Sequence, residues 1–158
     1  MATATHIPTK LMKGQFINAG PQVKFDTDTM VCLLVQAGSG IPSCSKTGVQ
    51  FIADVTATNT EESYSGYARQ TLTGQSVAFD SSTAGQVDFT FSAITFPQEA
   101  ADDGLARYGV IADTSIGSGD STHPVIAILD FGQTVSTVNG QLVLTAPTPG
   151  IILWTGGG

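Results

Sequence analysis

Two short apolar runs constrain this chain more than any other feature. MVCLLVQ, residues 30–36, is a continuous apolar segment of the kind that fills a sheet core. VIAILDF, residues 125–131, is apolar at odd and even positions alike up to Asp130. Successive side chains of a strand face opposite ways, so a strand that is apolar on both faces has to be covered on both. QVDFTFSAITF, residues 86–96, instead alternates: Val87, Phe89 and Phe91 fall on one face and Asp88, Thr90 and Ser92 on the other. That period of two predicts one half-buried strand, closed at Pro97, which has no N–H to give a central ladder.

Further strands are expected at residues 48–55, 67–72, 76–79, 108–112, 141–145 and 151–154, separated by segments rich in Gly, Pro, Ser and Asp. Residues 37–47 predict a long exposed loop, and residues 98–104 a surface loop or single helical turn. The one helical candidate is residues 8–17, with Thr9 as N-cap. Strands at intervals of about ten residues, without alternating helices, predict an all-β fold: an antiparallel β-sandwich or jelly roll with a short N-terminal arm or helix. The chain divides on this reading into a basic arm, residues 1–25, and one β domain, residues 26–158.

Charge supports that division. Lys10, Lys13 and Lys24 stand before the first carboxylate, Asp26; all thirteen acidic residues follow, against Lys46, Arg69 and Arg107. The arm thus carries +3 within a chain of net charge −7, an asymmetry that can steer docking onto an acidic neighbour. Only 12% of residues are charged, about half the usual share, which suits a surface made for contact with protein. Six Lys and Arg in all make nucleic acid a poor partner. No apolar run is long enough for a membrane span, and the N-terminal segment lacks the apolar stretch of a signal peptide.

Residue patterns for chemistry are weak. His6 and His123 are the only histidines, and no nucleophile-elbow sequence surrounds the serines near His123. Glu61 with Glu62, and Asp102 with Asp103, sit in polar stretches where solvated charge is the ordinary reading. Asp26, Asp28, Asp113 and Asp120 could offer oxygen to calcium but fit no EF-hand pattern, and Asp is common in turns. Cys32 reads as a small buried hydrophobe; with Cys44 it makes no zinc spacing. No catalytic residue, metal or cofactor is therefore expected. Tyr64 and Tyr67 are the aromatics best suited to a ligand surface, as a platform for a sugar.

Several segments, taken in order, resemble a group of tailed-bacteriophage virion proteins. They are KLMKGQFINAG, FDTDTMVCLLVQA, GYARQTLTGQSVAFD, VDFTFSAITFP, ARYGVIAD and HPVIAILDFGQTVSTVNGQLVLTAPTPGIILW. The pattern departs at Phe96, where Trp is more usual. The resemblance implies a structural component of the virion, most readily a capsid decoration or cement protein, and implies no active site. It also implies the major capsid protein as partner, a homo-oligomer with a trimer favoured, and a place on the capsid surface after assembly in the host cytoplasm. Lys10, Lys13, Phe16, Lys24 and Trp154 are the expected subunit contacts. The alternatives are a host-recognition or carbohydrate-binding module of a head or tail fibre, and a neck or tail component.

Overall fold

The protein is all-β, with one short helix among the described residues. The computed structural model describes residues 4–8, 22–38, 48–79, 86–100, 105–138, 140–148 and 150–155. The strands are β1 (Ala4–His6), β2 (Met30–Gln36), β3 (Gln70–Thr71), β4 (Ser76–Phe79), β5 (Gln86–Thr90), β6 (Ile94–Phe96), β7 (Ala106–Asp113), β8 (Val125–Val135), β9 (Leu142–Leu144) and β10 (Ile151–Thr155). A five-stranded sheet has the order β1-β8-β7-β2-β3; β10-β5-β4 form a second sheet and β6-β9 a third. All the strand pairs are antiparallel.

Both apolar runs lie inside the large sheet, each between two neighbours. Met30, Cys32 and Leu34 enter one hydrophobic cluster, Leu33 and Val35 the other. The first cluster joins the large sheet to the small ones through Phe89, Ile94, Phe96, Leu144 and Ile151. The second lies on the opposite face, where Val49, Ile52 and Val55 cover Tyr108, Val110 and Ile128. Strict alternation slips in β7 and β8, because register shifts stand between Ala106 and Tyr108 and between Ile111 and Ala112. An extra residue at such a bulge turns the following side chains over, so Ile126 and Ala127 enter the same cluster. Packing is close at Gly109, where a Cβ would stand 3.3 Å from both Phe131 and Leu144.

Three expectations need correction. Residues 48–55 do not form a strand; Ile52–Thr56 is a helix. Asp54 folds back to accept the N–H groups of Gln50 and Phe51 at 2.8 and 2.9 Å. The Ile52 and Ala53 amides reach the His123 and Asp120 carbonyls. Tertiary partners for its first amides, and burial of Ile52 and Val55 three apart, outweigh the strand preference of the β-branched residues. Next, the alternating segment 86–96 is two strands. It breaks after Thr90, where Ser92 N–H turns to the Thr73 carbonyl, and β6 pairs with β9 instead. Asp88 is buried, not exposed, and accepts from Gln86 at 2.8 Å.

The third correction concerns the N-terminus. Ala4–His6 is a strand of the large sheet, paired with Ile128–Asp130 positions of β8, and Val23 lies in the core. These parts of residues 1–25 belong to the domain and not to a separate arm. The helical candidate falls almost wholly on residues 9–21, outside the described residues, as do Lys10, Lys13 and Phe16.

Candidate functional site

The end of β2 is short of partners, because β3 pairs with only two of its residues. Residues 60–62 fill the gap: Gln36 N–H donates to the Thr60 carbonyl and Glu62 N–H to the Leu34 carbonyl. The Leu34 amide goes to the Tyr67 hydroxyl at 3.0 Å, and that hydroxyl donates to Glu61 Oε1 at 3.0 Å. Tyr67 is thus a structural strut, and burial and the Glu61 charge raise its pKa.

Arg69 extends this arrangement across the surface. Its guanidinium bonds Glu61 at 2.8 and 2.6 Å and Asp120 at 2.7 Å twice. Two forked carboxylate pairs on one arginine fix both loops in place. The Asp120 and Glu61 hydrogen bonds push the Arg69 pKa up, and Arg69 in turn holds Asp120 below the usual carboxylate range. His123 closes the adjacent turn, its Nε2 accepting from Gly119 N–H at 3.1 Å.

Beside Tyr64 lies a cleft too narrow to hold a water molecule, with Leu34 and Ala106 among its apolar lining and Glu62, Tyr64, Glu99 and Thr137 as its polar groups. Glu62 and Glu99 are only 4% and 3% exposed, although both come from stretches expected to be solvated. Gln36 donates to Glu62 Oε2 at 3.1 Å and Ser136 to Glu99 Oε1 at 3.0 Å. Glu62 Oε1 and Glu99 Oε2 are buried without a partner. Burial raises the Glu62 pKa, with Gln36 opposing and the Glu99 charge adding to the rise.

A second acidic pair joins two aspartates flagged by sequence. Asp113 is fully buried at the end of β7, with Oδ1 accepting from Ser115 N–H at 2.7 Å. Burial pushes its pKa up to about 6, and contact with the Asp28 carboxyl contributes. Asp28 in turn accepts the Lys24 amide at 2.7 Å. Asp26 and Asp120 do not join them.

The exposed apolar side chains lie elsewhere. Strand β4 is exposed along its length, with Val77 39% and Phe79 81% open, and pairs only with β5 among the described residues. Leu105 and Val143 are also exposed.

Of the residues singled out by sequence, Lys24 is exposed beside Asp28, and Trp154 stands opposite Val87 in β10. Tyr64 and Tyr67 do meet, ring centroids 5.4 Å apart, but they do not form a ligand surface. Tyr64 is 6% exposed and donates to the Pro97 carbonyl at 3.1 Å, while Tyr67 stacks on Phe96. Their hydroxyls are consumed by the backbone and their faces by one another and the core. Cys32 is buried, which raises its thiol pKa. Among the described residues no three His, Cys, Asp or Glu side chains converge, and no helix is long and apolar enough to cross a membrane.

Comparison with protein-family models, with curated proteins and with solved structures finds no match to this chain.

Proposed function

We propose that this chain is a structural protein of a tailed-bacteriophage virion, of the capsid cement type, binding the outside of the head lattice and bridging major-capsid subunits. The observation that carries the reading is β4. Its outer edge has no strand partner among the described residues, and Phe79 on it is 81% exposed. An uncovered apolar edge strand is an aggregation hazard that proteins normally blunt with charge or proline. SVAF has neither, so the strand makes sense as a surface that is covered in an assembly, by strand addition against a capsid subunit. The low overall charge and the ordered run of motifs support the same reading. A trimer repeating a contact of about 800 Å² per partner would gain strength from symmetry without new chemistry.

The test is binding of purified protein to isolated undecorated heads. Phe79→Asp is expected to reduce occupancy at least tenfold while thermal stability is unchanged. Absence of the protein from purified virions, or full occupancy by the variant, defeats the proposal. Removing residues 1–24 is a poor test, because it also removes β1 and Val23 from the fold.

A further inference from the structure

The connection from β7 to β8 is closed by a histidine whose protonation state the geometry fixes. His123 Nε2 stands 3.1 Å from the Gly119 nitrogen and accepts its hydrogen. An accepting ring nitrogen has a lone pair and no hydrogen of its own, so the proton of the neutral imidazole sits on Nδ1. Nδ1 is buried without a hydrogen-bond partner and lies 3.8 Å from Asp120 Oδ1, too far for such a bond. Asp120 is held instead by two bonds of 2.7 Å to Arg69.

An imidazolium carries hydrogen on both nitrogens. A second proton on His123 therefore lands on Nε2, where it meets the Gly119 N–H, and two donors face each other across 3.1 Å. The ring escapes this conflict by swinging Nδ1–H the short distance to Asp120, exchanging a bond to the backbone for a charge-assisted one. Room for the movement exists at Gly119, which sits at φ +134° with nothing within 4 Å of the place a Cβ would occupy. Around this turn the charged groups are Asp120 on the turn itself, Arg69 and Glu61 behind it, Asp54 of the Ile52–Thr56 helix and Asp113 at the end of β7. A positive ring among these carboxyl groups is tolerated, so the conflict is one of hydrogen-bond geometry at Gly119.

We propose that His123 is an acid-operated latch: a proton on Nε2 releases Gly119, draws the ring to Asp120 and loosens the β7–β8 connection from the helix. The helix is tied to this turn by its first amides, with Ile52 N–H on the His123 carbonyl at 3.1 Å and Ala53 N–H on the Asp120 carbonyl at 3.0 Å. Movement of the turn thus reaches the start of the helix directly. The closed turn needs the neutral ring, so the latch is shut above the ordinary range of histidine titration and opens as pH falls through it.

The experiment is NMR spectroscopy of the isotope-labelled full chain between about pH 8 and about pH 5, the interval in which imidazole changes charge. At the upper end, long-range ring spectra should place the proton on Nδ1. Through the titration the Gly119 amide signal should shift with the midpoint of the His123 ring. Hydrogen exchange at Gly119 and Ile52, corrected for the intrinsic effect of pH, should speed up by about tenfold, the equilibrium weight of one hydrogen bond. His123→Gln keeps an acceptor for Gly119 but does not titrate, so the response should vanish in it. The response should persist in Asp113→Asn, which removes a neighbouring group that gains its proton at about 6. A proton found on Nε2 at the upper end of the titration overturns the proposal without recourse to any variant. So does a Gly119 amide that ignores the ring's titration, or a response that survives in His123→Gln or is lost in Asp113→Asn. The latch does not involve β4, so its failure leaves the cement reading untouched.

Discussion

The backbone N–H of Leu34 donates to the phenolic oxygen of Tyr67 at 3.0 Å, across 33 residues of sequence. A side chain here completes a ladder that the short β3 leaves open. Tyr67→Phe preserves the ring and its stacking on Phe96 but strands the amide. Leaving a buried donor unmade costs about 1–3 kcal/mol. The urea midpoint should fall accordingly with its slope unchanged.

Asp113 sets a pH dependence of defined sign. Its folded-state carboxyl keeps a proton up to about pH 6, against an ordinary value of 3.8. Between those values the native chain holds more protons than the unfolded one, so stability falls as pH rises through the window and stays reduced above it. Asp113→Asn carries no such penalty and can still accept from Ser115 while donating to Asp28. The variant should match wild type near about pH 3.5 and melt higher at neutral pH. Thermal melts at a series of pH values check this; parallel curves would refute it.

Arg69 works in the opposite sense. Asp120, held low by Arg69, contributes stability that is present above the ordinary carboxylate pKa and lost as pH falls through its depressed folded value. Arg69 is 29% and Asp120 39% exposed, so water screens the network and the gain is modest. Arg69→Leu should cost roughly 1 kcal/mol at low salt and less in about 1 M salt. Chemical unfolding at two ionic strengths measures the difference.

Two phenylalanines of one small sheet should behave as opposites. Phe89 is fully buried and its removal to Ala should cost about 3–5 kcal/mol. Phe79, 81% open, should tolerate Phe79→Ser within about 0.5 kcal/mol. Calorimetry distinguishes them, and a large loss on Phe79→Ser would mean that this ring packs where it now lies exposed.

Legibility in the sequence followed the physics of each segment. MVCLLVQ was readable to the residue because both faces of β2 are covered; the strand expected at residues 124–131 was readable for the same reason, but not its continuation to Val135. The helix at Ile52 was hidden, since its Ile, Val and Thr favour strands and its first amides are satisfied by residues 120–123, distant in sequence. The break after Thr90 was hidden too, because nothing local tells Ser92 to bond Thr73. Asp28 and Asp113 were visible as oxygen donors, but their meeting depends on β2 and β7 lying side by side. Glu62 was visible only as half of an adjacent pair with Glu61, and nothing pointed to Glu99 or to their burial. Polar neighbours suggested solvent, and only the closing of three connections over them took it away.

His6 lies against Ile128, so the first strand is seated on one that follows most of the chain. On the ribosome, β1 has nothing to join until β8 has emerged. Such distant pairing slows folding and leaves a sticky intermediate. Yield should therefore depend on chaperones and on the speed of translation ahead of residue 125, even for variants whose finished form is perfectly stable.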